Sequence, residues 1–404
     1  MRVKLQKSTI SFWGWAKDFF WRRQTIYATI LLVLLAAIVM QLSILPSKFA
    51  MSEIDYATQS QSYTSIGQNP LSLPHKLATY TVTIFSDSAR WVRAISIVFF
   101  GFCVVALYRI LKRWHSDQIA LFSSLLFATN ATALAVGRLG TPLVMLFGWA
   151  IIISLLLWLQ HGNSRKIAPF FLIVFSASLL YVPGAPYFFI LLGLLFGKKL
   201  LYTVSKLKRS TMVVAIISAI FVLLPLILSF FSDIAVLREW LLLPEKIEIR
   251  SIVIDILRVP SAFIYRSPVD PLLNVGRLPI LDVASGGFFL IGLYAYQKHI
   301  KLVRTRVMIL TAVLSVILGA LGEVAVASVI LLPFVYSVVG AGINFVLNEW
   351  YGVFPKNPFA RSFGLLLVTF VVLMSVYYQL TRFLVVWPQT PETRAVYTQS
   401  SLIQ

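Results

Sequence analysis

Ser52-Glu53-Ile54-Asp55-Tyr56 follows the first long apolar run, residues 26–42, in a chain with only 15 Asp+Glu among 404 residues. Carboxylates beside hydrocarbon are costly unless they are solvated, paired or in use. Other groups able to join them fall at the same ends of the apolar runs: His75 and Lys76, Arg90 and Arg93, Arg138, then Arg266, Arg277 and Asp282. One carboxylate among guanidinium groups suits transfer of a sugar from a phosphate-linked donor. A positioned base takes the proton of the attacking hydroxyl, and fixed cations meet the charge on the departing phosphate. In this scheme Glu53 is the general base, with Asp55 the alternative. Arg93, Arg138 and Arg90 hold the donor phosphate, and Tyr56, His75, Lys76, Arg266, Arg277 and Asp282 line the substrate pocket. Transfer with inversion needs no covalent intermediate. Glu53→Gln is then expected to abolish transfer while leaving abundance and folding intact.

The same residues have plainer uses. Ser52 and Asp55 fit a capping box, with Ser52 as N-cap and Asp55 reaching back, which leaves Glu53 without a structural task. Arg90 and Arg93 suit snorkelling to headgroups, and Arg138 suits capping of a tight turn. His75 has no partner at ligand spacing. Glu53-x-Asp55 offers oxygen ligands to a divalent cation, but acid pairs at this spacing are common, and no metal is assigned. The sequon Asn130-Ala131-Thr132 sits at the edge of an apolar run. No Walker loop, no dinucleotide fingerprint and no Ser/His/Asp order is present.

The elements that would position these groups are membrane helices. Hydrophobic residues make up 59% of the chain and charged residues 12%, with mean hydropathy +0.85, which excludes a soluble domain. The pattern predicts an all-α, polytopic membrane protein with about 11 spans and amphipathic outer-loop helices. The lone Cys103 excludes an internal disulfide and a thiolate metal cluster. Residues 1–24, basic and aromatic, read as a cytoplasmic amphipathic leader. Residues 25–384 form the transmembrane domain, with outer loops at 43–91 and 232–281, and 385–404 form an extracytoplasmic tail. This orientation puts most Lys and Arg inside, as the positive-inside rule requires. The net charge of +20 is thereby a topogenic signal, and nucleic acid is not a partner. One predicted span covers residues 119–136, and Tyr181-Val182-Pro183-Gly184-Ala185-Pro186 is expected to separate two further spans.

The chain resembles the GT-C class of integral-membrane glycosyltransferases, in the branch with protein O-mannosyltransferases and lipid A aminoarabinose transferases. The resemblance rests on the acid soon after the first span, on Arg93-Ala94-Ile95-Ser96 opening the second, and on Gly137-Arg138-Leu139-Gly140-Thr141-Pro142. It rests also on Leu278-Pro279-Ile280-Leu281-Asp282 running into Gly286-Gly287, and on Leu331-Leu332-Pro333 before Gly340-Ala341-Gly342. Ser52 stands where the family often has an aspartate before the glutamate, and Thr141 where many members carry an acid. The resemblance implies a polyprenyl-phosphate sugar donor, a lipid, glycan or protein acceptor, and a site on the outer face of a bacterial-type cell membrane. It places Glu53 at the family's catalytic acidic position, with Arg93 and Arg138 toward the phosphate. The alternatives are a non-catalytic scaffold that binds polyprenyl lipid, or a transporter of lipid-linked saccharide. The spans carry little charge at their centres, which disfavours transport.

Overall fold

The computed structural model describes residues 46, 48–61, 66–67, 69–84, 89–159, 168–205, 209–243, 249–322 and 324–399. The leader, the first apolar run, Glu323 and the last residues of the tail lie outside the described residues, as does the side chain of Arg90.

Leu, Ile, Val and Phe in long runs, broken by Pro, Gly and Asn, fold into a succession of helices. Helix α1 is Met51–Gln59, α2 is Leu73–Thr83 and α3 is Ala89–Trp114. Next come α4 (Asp117–Thr129), α5 (Ala131–Arg138), a 3-10 turn at Pro142–Gly148 and α6 (Trp149–Leu159). Then follow α7 (Ala168–Leu179), α8 (Ala185–Ser205), α9 (Arg209–Ser232), α10 (Ile234–Trp240) and α11 (Ile249–Ile264). The last are α12 (Val283–Lys298), α13 (Val303–Leu321), α14 (Val324–Val353), α15 (Pro358–Thr381) and α16 (Pro391–Val396). Side-chain caps start several of them: Ser116 accepts from Ile119 N–H, Asp282 from Ser285 N–H and Asn357 from Ala360 N–H. Among the described residues four helices are long and apolar enough to cross a membrane, and the pair α4–α5 makes a fifth if it is one broken span.

That pair corrects the expected continuous span over residues 119–136. The chain bends by 63° at Asn130, and the backbone groups freed there need partners away from water. Asn130 supplies some: its Oδ1 accepts from Ala133 N–H, and its Nδ2 donates to Ile280 C=O and to the Tyr336 hydroxyl. Gln379 Oε1 takes Ala131 N–H. Asn130 is fully buried, so the sequon is a structural joint with no room for a glycan. The expected break at residues 181–186 does separate two helices, α7 and α8.

The helix α14 forms the centre of the core, with its middle turns buried against α12, α13 and α4. Glycines make this possible, because helices without a hydrophobic driving force between them gain most from close backbone approach. A Cβ on Gly342 would lie 1.9 Å from Phe288 O, and one on Gly292 would lie 2.0 Å from Val338 O. The chain is not purely helical. Strand β1 (Phe49–Ala50) pairs antiparallel with β2 (Tyr397–Gln399), tying the tail to the segment just before α1. Nothing in the hydropathy pattern announces that ribbon.

Gly342→Ala is predicted to lower unfolding stability in detergent by about 1–3 kcal/mol through overpacking. Gly286→Ala, whose Cβ meets nothing within 4 Å, should leave the melting temperature unchanged or raise it. Paired thermal melts check both.

Candidate active site

Helix α1 begins at Ala50, whose extended backbone has no side chain able to cap. Glu53, at the third helical position, reaches back instead, and its Oε2 accepts Ala50 N–H at 3.1 Å. The capping task expected of Asp55 therefore belongs to Glu53, two residues earlier than the sequence pattern suggests. Glu53 and Asp55 also project in different directions, as residues two apart on a helix must: Glu53 is buried and Asp55 exposed.

Glu53 faces a closed ionic cluster. Arg93 donates from Nε to Oε1 at 2.8 Å and from Nη2 to Oε2 at 2.7 Å, a bidentate pair. Gly140 N–H donates to Oε1 at 3.0 Å, so with Ala50 each carboxylate oxygen takes two hydrogen bonds. The other Arg93 donors reach Pro46 C=O at 2.7 Å and Lys48 C=O at 2.8 Å. Arg138 donates to the Tyr397 hydroxyl at 3.1 Å and to Pro46 C=O at 3.1 Å, and lies over the rings of Trp387 and Tyr397. Glu53, Arg93 and Arg138 are all 0% exposed.

Burial pushes the Glu53 carboxyl up, but the Arg93 hydrogen bonds, the charges of Arg93 and Arg138, and Gly140 N–H outweigh it. The net result is a carboxyl held below its ordinary 4.5. In this arrangement Glu53 has no open lone pair with which to take a substrate proton, and Arg93 makes four hydrogen bonds to protein oxygens. The cluster works as a brace.

A cleft of about 630 Å³ lies beside it, and none of these three residues lines it. Its polar wall is made by Ser52 and Tyr56 of α1, Lys76 of α2, Thr141, Glu239 and Asp270, and its apolar wall includes Leu146, Pro183 and Ala325. Ser52 and Tyr56, four apart, lie on one face of α1 and both line the cleft, which Glu53 does not. Lys76 is almost wholly buried, donates to Asn69 C=O at 2.7 Å, and sits 6.0 Å from the centre of the Tyr56 ring. Burial lowers its pKa, and the nearby Glu239 charge works against that.

Behind the cleft, three hydroxyls converge on His75. Tyr56 Oη lies 3.0 Å from Nδ1 and Thr79 Oγ1 3.4 Å from it, while Ser96 Oγ lies 2.9 Å from Nε2. Ser96 donates to Thr141 C=O at 3.4 Å, which leaves its oxygen to accept from His75. The network thus sets His75 as the Nε2–H tautomer, with Nδ1 accepting from Tyr56. Burial lowers the His75 pKa from 6.5 to about 4.

Of the residues singled out from sequence, Tyr56 and Lys76 line the cleft, His75 supports it from behind, and Glu53, Arg93 and Arg138 come together in the brace. Arg266 and Arg277 are exposed and line no part of the cleft; Arg266 lies over the Tyr265 ring. Asp282 is a helix cap, bonded to Ser285, Ser375 and Gln379. These three do not belong to the pocket as expected. Among the described residues no three His, Cys, Asp or Glu converge as metal ligands. Sequence reasoning gave no role to Glu239, Asp270, Tyr397 or Trp387. The available signal, for the two acids, was that six of the chain's 15 Asp+Glu gather in residues 232–281. No model of a known protein family matches the chain, and no curated protein matches it.

The His75 shift predicts an acid-sensitive fold. A neutral ring whose folded pKa is depressed contributes stability fully present above pH 6.5 and lost as pH falls toward about 4. The loss over that window is at most about 3.5 kcal/mol. Melts of the protein in lipid nanodiscs between pH 7 and 4 should show it, and His75→Gln, though less stable at pH 7, should flatten the slope.

Proposed function

We propose that this protein is a membrane glycosyltransferase that moves a sugar from a polyprenyl-phosphate donor to an acceptor on the extracytoplasmic face, with inversion. The finer topology of this reading is about 11 spans, a cytoplasmic N-terminus and a cell-membrane location. The carrying observation is the cleft where the two outer segments meet. It sets one almost buried cation, Lys76, among the carboxylates Glu239 and Asp270 and the hydroxyl-bearing Tyr56. A cation with few alternative partners suits a departing phosphate, and a carboxylate suits the acceptor proton.

A second feature supports a lipid-borne donor. An apolar groove of about 470 Å³ runs between α2, α3 and α7, on the far side of His75 from the cleft. Its walls include Trp91, Val98 and Phe102, each more than half exposed and facing what would be hydrocarbon. An isoprenoid chain in the groove leaves its headgroup near Lys76.

One observation favours the non-catalytic scaffold instead. The residue that α1 turns toward the cleft, where the resemblance expects an acid, is Ser52. The two readings separate in one assay: purified protein in nanodiscs, a panel of polyprenyl-phosphate sugars, and donor consumption followed by mass spectrometry. Glycosyltransfer predicts consumption of at least one donor, whereas donor bound but never consumed indicates the scaffold. Lys76→Met should lower kcat/KM for the donor by about 10- to 100-fold, the worth of one charge-assisted hydrogen bond.

A further inference from the structure

With Glu53 closed inside the brace, the cleft still needs a base, and α1 presents Ser52, Tyr56 and Gln59 to it, none of them a carboxylate. Among the described residues two carboxylates line the cleft, Glu239 and Asp270. They are held very differently. Glu239 is exposed, near the end of the short helix α10, and its charge acts on Lys76, favouring the ammonium form. Asp270 is half-buried and sits on a built turn. Its Oδ1 accepts Leu272 N–H at 2.9 Å, and its carbonyl accepts Leu273 and Asn274 N–H.

That turn is fastened to the brace. Pro271 C=O accepts from Trp387 Nε1 at 3.0 Å, and Asn274 Oδ1 accepts from Thr132 at 2.8 Å. Trp387 is buried, packs edge-on to Tyr397, and carries the Arg138 guanidinium over its ring. Rigid placement is what a base requires, because small misplacements cost orders of magnitude in rate. Resting on the glycosyltransferase reading, we infer that Asp270 is the general base of the cleft and Glu239 the counter-ion of Lys76. The acceptor O–H proton passes to the Asp270 carboxylate as the acceptor oxygen bonds to the sugar C1. The C1–O bond to phosphate breaks with its electron pair, and Lys76 meets the charge left on the polyprenyl phosphate.

The test uses the full-length protein in nanodiscs and whichever polyprenyl-phosphate sugar the wild type consumes. Asp270→Asn keeps an oxygen for Leu272 N–H, so the turn and donor KM should stand. Its kcat should fall by about 10²- to 10⁴-fold, and the acidic limb of the kcat/KM pH profile should vanish. Glu239→Gln should chiefly raise donor KM. Asp270→Ser, which also offers an oxygen to the turn, should repeat the loss. Wild-type kcat in Asp270→Asn, or an unchanged acidic limb, overturns the assignment and leaves the glycosyltransferase reading standing. Misfolding of both Asp270 variants assigns the residue to structure and overturns it too. Wild-type protein that consumes no donor overturns the reading and this inference together.

Discussion

The Glu53 carboxylate between two guanidinium groups, all without access to water, is the constraint on which this end of the helices depends. Charges taken out of water repay their desolvation only with close partners and filled hydrogen bonds. Here the filling comes from distant parts of the chain: Ala50, Pro46 and Lys48 before α1, Arg93 at the start of α3, Gly140 after α5, and Tyr397 in the tail. Satisfying this cluster therefore fixes where the segment before α1, two helix ends and the tail lie. One positive charge remains in excess, Arg93 and Arg138 against Glu53. The rings of Trp387 and Tyr397 and the Pro46 carbonyl surround the second guanidinium.

The cleft inherits its geometry from this brace. With Glu53 turned inward, α1 has one rotation about its axis left, the one that offers Ser52 and Tyr56 to the cleft. His75 then holds Tyr56 from behind, and Trp387 carries the constraint on to the turn at Asp270. The apolar groove and the polar cleft flank the same short helix, α2. A lipid chain and its headgroup are thereby offered separate walls of one site.

Much of this was legible in the sequence. Hydropathy gives the helical class, and the break at residues 181–186 is written in Pro and Gly. Glu53, Arg93 and Arg138 are singled out by type and position, and the structure does bring them together. Their orientation was not legible. A helix presents Ser52 and Glu53 about 100° apart, and which of them meets the cleft depends on Arg93, 40 residues away in sequence. The cap at Ala50 was hidden for a related reason, since alanine has no capping side chain and the bond is made by Glu53 alone. The bend at Asn130 and the ribbon with Tyr397 likewise depend on tertiary partners, Tyr336, Gln379 and Phe49–Ala50, that no local pattern reveals. Arg266, Arg277 and Asp282 carried suitable chemistry and still fell outside the cleft.

The central claim is that Glu53 and Arg93 act as one structural unit, and a double-mutant cycle tests it most directly. Unfolding of Glu53→Gln, Arg93→Met and the double variant would be compared with wild type in nanodiscs at neutral pH. Breaking a buried pair from either side leaves the other partner unpaired, so each single change should cost about 3–5 kcal/mol. The double change should cost less than their sum by about 2 kcal/mol. Effects that add to within about 0.5 kcal/mol, or a Glu53→Gln protein as stable as wild type, would contradict the brace and return Glu53 to the chemistry.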